Sequence, residues 1–182
     1  MRILDPAAGE GLYLLAAIVC DTAVCESARG LLRSLRYKRQ PRLHWNTEDD
    51  GRRAKIAAAV SGVPMSAVVV VGAPLVAAKQ ERARRICMET LLPHLAGMGV
   101  NRVWLEARTA SLNDRDRKHL VALRGQRAVP ATLRVDIERP SAEPMLWLPD
   151  VVAGAVGAAR NGDPSYLNVM RHAVTELSIP LR

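Results

Sequence analysis

Residues 143–159, Glu-Pro-Met-Leu-Trp-Leu-Pro-Asp-Val-Val-Ala-Gly-Ala-Val-Gly-Ala-Ala, form the most apolar helical stretch of the chain. Asp150 is the single charge between Glu143 and Arg160. A lone carboxylate on such a helix is expensive to bury: unpaired, it neutralises or costs several kcal/mol. It needs a cation, a hydrogen-bond network or a metal ion. Two further acids stand in related settings. Asp5 ends the short run Arg2-Ile3-Leu4, and Glu106 ends Arg102-Val103-Trp104-Leu105. Two acids at strand ends and one on an apolar helix point to a converging acidic site.

The rest of the chain must supply a core around that helix. At 182 residues, 49% hydrophobic and 24% charged, it suits a single folded domain spanning 1–182. Phe is absent, so the core is built from Ala, Val, Leu and Ile. The net charge of +8 favours a polyanionic partner such as nucleic acid. Genomic bias toward Arg and Ala produces the same balance, so the charge carries modest weight. Three cysteines, an odd number, argue against a disulfide framework. Cys20 and Cys25 lack partners at zinc-finger spacing and read as small buried thiols. No secretory signal is visible. The longest apolar stretch, 144–159, contains Asp150 and falls short of a membrane span. The expectation is a soluble, cytoplasmic protein with no membrane partner.

Along the chain, strands are predicted over 2–5 and 12–19, forming a hairpin. Asp21 or Thr22 caps a helix to about 36, with Cys25, Ala28, Leu32 and Leu35 on its apolar side. Residues 37–46 read as a basic loop and 47–61 as a helix. A strand over 66–71 ends at Gly72 and Pro74, and a helix follows over 76–95. Then come a strand over 102–106, a helix from Ser111 or Asn113 to about 123 with a charged run on its surface, and a half-exposed strand over 132–137. The Asp150 helix follows. The segment 163–182 is the hardest to place; a helix over 165–174 and a short extended tail are expected. The order β-β-α-α-β-α-β-α-β-α indicates an α/β fold, a mixed sheet with helices on both faces.

Several motifs are absent. There is no Gly-x-Gly-x-x-Gly, no P-loop Lys-Ser/Thr after Val71-Gly72-Ala73-Pro74, and no Gly-x-Ser-x-Gly elbow. These absences weigh against nucleotide cofactors and serine hydrolase chemistry. The acids remain. Divalent-metal phosphoryl transfer uses hard oxygen ligands converging from separate elements. Asp5, Glu106 and Asp150 supply them if their elements are neighbours. The plainer alternatives stay open: Asp5 as a turn acid before Pro6, Glu106 paired with Arg108 or Arg134, and Asp150 as a capping or salt-bridged acid. His44, beside Trp45 in the basic loop, is a helper that positions a water or phosphate, or else a surface His. His119 and His172 sit among charges and read as solvated. Arg33, Arg36, Lys38, Arg39 and Arg42 form one basic stretch and Arg82, Arg84 and Arg85 another. Both are solvated faces or, beside an acidic centre, a track for a phosphate backbone.

The runs Arg2-Ile3-Leu4-Asp5, Arg42-Leu43-His44-Trp45, Val103-Trp104-Leu105-Glu106-Ala107-Arg108 and Leu146-Trp147-Leu148-Pro149-Asp150-Val151-Val152-Ala153-Gly154 together resemble the DUF3800 family over residues 2 to about 160. The last run is the most specific. The resemblance implies a single-domain ribonuclease H-like fold with an acidic centre at Asp5, Glu106 and Asp150, binding Mg²⁺ or Mn²⁺. The chain departs from the family pattern where Pro6-Ala7-Ala8 follows Asp5, and where Pro149 precedes Asp150. Pro149 either kinks the helix or sets its start, which puts Asp150 in the first turn. The leading expectation is a metal-dependent nuclease or related phosphodiester hydrolase, with Asp5, Glu106 and Asp150 on the metals, His44 assisting, and Arg36, Lys38, Arg39 and Arg42 on nucleic acid. The rival is a non-catalytic module of the same fold that binds nucleic acid or a protein. A homo-oligomer with a vestigial site is a third expectation.

Overall fold

A computed structural model describes residues 2–4 and 11–181. Asp5 lies outside the described residues, so the three-acid expectation is open at that position. The central strand is β2 (Gly11–Val19), a run apolar at nearly every position because both of its faces are covered. Leu12, Leu14, Ala16 and Ile18 point to one side and Tyr13, Leu15, Ala17 and Val19 to the other. β1 (Arg2–Leu4) and β3 (Ser66–Leu75) flank β2, both antiparallel to it. β6 (Val174–Pro180) adds to β3 in parallel, giving the order β1-β2-β3-β6. β4 (Arg102–Glu106) and β5 (Arg134–Glu138) pair in parallel as a second, two-stranded sheet.

Helices cover both sides. On one face lie α1 (Thr22–Leu35), α2 (Asp50–Ser61), α5 (Trp147–Arg160) and the short α6 (Ser165–Asn168). They enclose a core of Leu32, Ile56, Val60, Leu148, Val152 and Leu167 against Leu14, Val69 and Val71. On the other face α3 (Gln80–Gly97) carries two stripes. Ala83, Cys87, Leu91 and Leu95, one turn apart, meet Tyr13, Val68 and Val70. Met88 and Leu92 turn toward α4 (Ala110–Gly125) and its Leu120 and Leu123, with Val103, Leu105 and Val135 from β4 and β5 beneath them. Among the described residues no helix is long and apolar enough to cross a membrane.

The structure corrects several expected boundaries. The helix expected over 165–174 stops at Asn168; a 3-10 turn, Arg171–Ala173, leads into β6. Val174-Thr-Glu-Leu-Ser-Ile-Pro180 alternates as a strand does, and its edge position tolerates the terminal proline. β3 runs past Gly72 to Leu75 rather than ending at Val71. A Cβ on Gly72 would lie 2.9 Å from Leu181, whose N–H bonds the Ala73 carbonyl at 2.8 Å, so glycine lets the tail close over the strand. The helix expected from Thr47 begins at Asp50, because the Asp49 side chain caps it by accepting from the Arg52 N–H. The helix expected from Val76 opens as a 3-10 turn, Ala77–Lys79, before α3. Of the two expected caps, Asp21 and Thr22, it is Asp21 that caps α1, accepting from the Ala23 N–H.

Candidate active site

The lone carboxylate of α5 meets the loop between α1 and α2. Asp150 is the fourth residue of α5, and Pro149 costs no hydrogen bond there, since N–H groups of a first turn have no intrahelical acceptor. Asp150 Oδ2 accepts from the Trp45 N–H at 2.9 Å and lies 2.7 Å from His44 Nδ1. With Asp150 ionised, Nδ1–H is the donor and Nε2 is left for another partner. Oδ1 of Asp150 takes no partner among the described residues. The side chains of Asp150 and His44 keep 20% and 34% of their exposure, so solvent and small ligands reach the pair.

Helix composition explains why the loop lies there. One turn after Asp150 comes Gly154, where a Cβ would fall 2.3 Å from the indole of Trp45. Glycine makes room for the ring to lie on the helix, and Asp150 takes the same residue's N–H. Trp45 is 3% exposed and meets Tyr166 edge-to-face at 5.2 Å. Arg53 donates to the Trp45 carbonyl at 3.2 Å and Thr47 to the His44 carbonyl at 2.9 Å. The His44-Trp45 and Asp150-Val-Val-Ala-Gly154 runs are thus two halves of one contact. The start of α5 is held by a second acid. Arg29 of α1 forks onto Glu143 (2.9 and 2.8 Å), and Glu143 accepts from the Met145 N–H at 3.0 Å. Burial pushes the Glu143 carboxyl up, but the Arg29 fork and the Met145 N–H outweigh it and hold it low.

Glu106 ends β4 and is held by the same loop: Arg42 Nη1 donates to it at 2.5 Å. The partners read from the sequence, Arg108 and Arg134, lie elsewhere. Arg134 sits beside Arg102 in the β4–β5 register, and Arg108 bonds Glu81 and Asp116. Residues 42–45 therefore join the end of β4 to the first turn of α5. Among the described residues no group of three or more His, Cys, Asp or Glu side chains forms a metal site. Of the expected basic track, Lys38 and Arg39 are exposed, Arg36 is folded back onto the Gln40 carbonyl, and Arg42 is spent on Glu106.

A second charged cluster was not legible. Arg84 of α3, expected on a solvated face, is buried and forks onto Asp116 of α4 at 2.9–3.2 Å. Asp116, expected in a surface run, is buried too, and its Oδ1 also accepts from Arg108 at 2.8 Å. Burial works against the Arg84 charge, but Asp116 outweighs it and keeps the guanidinium protonated. Burial likewise pushes the Tyr13 phenol up, opposed by neighbouring Arg84. The one signal available was spacing: Asp116, Leu120 and Leu123 share one helical face. His119, expected to be solvated, is mostly covered, and burial holds its imidazole below the usual range. His172 is exposed, as expected. Cys87 is a buried thiol; Cys20 and Cys25 are half-buried, not core residues. Among known proteins, no family model, curated sequence or solved structure matches the chain.

Proposed function

We propose that the protein is a phosphodiester hydrolase acting on nucleic acid, with its reactive centre where residues 42–45 meet Glu106 and Asp150. One observation carries the reading. Three segments far apart in sequence converge on two acids, and one of those acids orients a half-exposed histidine through Nδ1. That is the arrangement in which a carboxylate fixes the ring and its second nitrogen moves a proton. Here Nε2 of His44 would take the proton of an attacking water, while Asp150 holds the ring and stabilises the imidazolium. Lys38 and Arg39, exposed on the preceding loop, would hold the phosphate backbone, so binding weakens steeply with salt.

A ribonuclease H-like fold of the DUF3800 kind, with Mg²⁺ or Mn²⁺ at Asp5, Glu106 and Asp150, belongs to the same reading. It draws support from the mixed sheet and from carboxylates, the hard oxygen donors such ions prefer. The described arrangement does not itself fit an ion, because Glu106 and Asp150 each hold a basic side chain. An ion at these acids competes with Arg42 and His44, and no step of the reaction is routed through one. The same pairing favours a second reading, a binding module of this fold whose acids are permanently occupied.

Cleavage of short labelled single-stranded and duplex DNA and RNA, with Mg²⁺, with Mn²⁺ and with chelator, tests the proposal. Wild-type protein should cut at least one of them, and Asp150→Asn should lower the rate by about 10²-fold or more. Salt-sensitive binding with no cleavage under any condition would replace the hydrolase with the binding module.

A further inference from the structure

The end of β2 and the start of α1 place two thiols side by side. Cys20 follows the last residue of β2 and Cys25 is the fourth residue of α1. Their Sγ atoms are 3.9 Å apart. Neither belongs to the hydrophobic core, in contrast to Cys87, which is fully buried against β2 and β3. Both are half-buried, so a small oxidant reaches them. A pair of thiols in contact, accessible and outside the core, is what distinguishes a redox pair from inert buried cysteines.

We propose that Cys20 and Cys25 are a reversible dithiol–disulfide site, oxidised by low-molecular-weight disulfides such as oxidised glutathione. The inference is independent of the hydrolase reading. Cys25 makes the first attack from the first turn of α1, and Cys20, whose thiol burial pushes up to about 11, follows. The Cys25 thiolate attacks one sulfur of the external disulfide, forms a mixed disulfide and expels the first small thiolate. Cys20 then loses its proton and attacks the Cys25 sulfur of the mixed disulfide, expelling the second. Two protein thiols lose two electrons, the external disulfide gains them, and the two thiol protons finish on the two released small thiols. Closing the contact to a bond of roughly 2.05 Å calls on side-chain rotation at a strand–helix junction. The bond would staple the first turn of α1, the helix whose Arg29 holds Glu143 at the entry to α5.

The test uses the full chain, equilibrated in graded ratios of reduced to oxidised glutathione, then alkylated, digested with trypsin and weighed by mass spectrometry. Residues 3–29 contain no internal Lys or Arg and carry both cysteines on one peptide, while Cys87 lies on another, residues 86–102. Oxidation should convert the doubly alkylated 3–29 peptide into an unalkylated form two hydrogens lighter than the dithiol. Dithiothreitol should restore it, and Cys87 should show no response. Cys20→Ser should stop the reaction at a glutathione adduct on Cys25. A wild-type 3–29 peptide that stays fully alkylatable at the most oxidising ratio, or that accumulates a stable glutathione adduct, would overturn the proposal.

Discussion

Two carboxylates tie distant elements of this protein together, and they do it differently. Asp116 is 6% exposed and answers two guanidiniums, with both of its oxygens engaged. Asp150 spends one oxygen on a backbone N–H and an imidazole, and the other is unbonded among the described residues. A fully engaged, buried acid between two arginines locks α3 to α4 and has nothing left to offer a ligand. A half-exposed acid holding a histidine has both a spare oxygen and an orientable proton carrier. The contrast separates a structural ion cluster from a candidate reactive one without appeal to sequence rarity, since both acids lie in helices and both have basic partners.

The largest difference should appear in stability. Asp116→Asn leaves two guanidiniums facing a neutral amide in a buried setting, and should cost about 3–5 kcal/mol in urea denaturation. Asp150→Asn retains an oxygen for the Trp45 N–H and loses charge assistance only, which should cost about 1–2 kcal/mol. Equal costs would erase the distinction. Gly154→Ala comes next. Its methyl would collide with the Trp45 indole, so overpacking should cost about 1–3 kcal/mol. Because Trp45 carries His44 beside it, the same change should impair any cleavage while leaving the Arg84–Asp116 cluster intact. A variant with unchanged stability and unchanged tryptophan emission would show that the ring does not rest on this glycine.

The smallest expected effect is a pH slope. His119 titrates lower in the folded protein than its ordinary 6.5, chiefly through burial. The unfolded chain therefore binds the proton first, and stability falls as pH drops from about 6.5 toward the depressed folded value. Glu143 and Glu176 are also depressed, despite burial that opposes it, by Arg29 in one case and by Arg160 and Arg171 in the other. Their stabilisation is complete above the ordinary 4.5 and is lost as pH falls below it. Melting temperatures across this range should fall in two stages, and His119→Gln should remove the upper one. A single stage confined to the carboxylate region in the wild type would contradict the assignment.

How much of this was legible in the sequence depended on pattern length. The apolar runs of β2, β3 and α5 declared themselves, because elements covered on both faces or fully buried carry little polar interruption. The need of Asp150 for a partner was legible from its isolation, and His44 was a candidate on its own. That the two touch was not, since Gly154 acts through a space it leaves empty, and no local signal announces a tryptophan arriving from a hundred residues away. β6 was legible only as a short extended tail; its place in the sheet was not, because its alternation mixes Thr, Glu and Ser with apolar residues at an edge. Arg84 and Asp116 were hidden by company: each sits in a run of exposed charges, and only the tertiary fold decides which member turns inward.

The central claim is that Asp150 and His44 act as one unit, and a double-mutant cycle on the cleavage rate tests it most directly. His44→Ala, Asp150→Asn and the double variant would be measured on the nucleic acid that wild-type protein cuts best, with folding checked by circular dichroism. The account predicts that each single change lowers the rate by about 10²-fold or more and that the double change is scarcely worse than either, as for residues that work together. Losses that multiply in the double variant, or a His44→Ala rate equal to wild type, would contradict it.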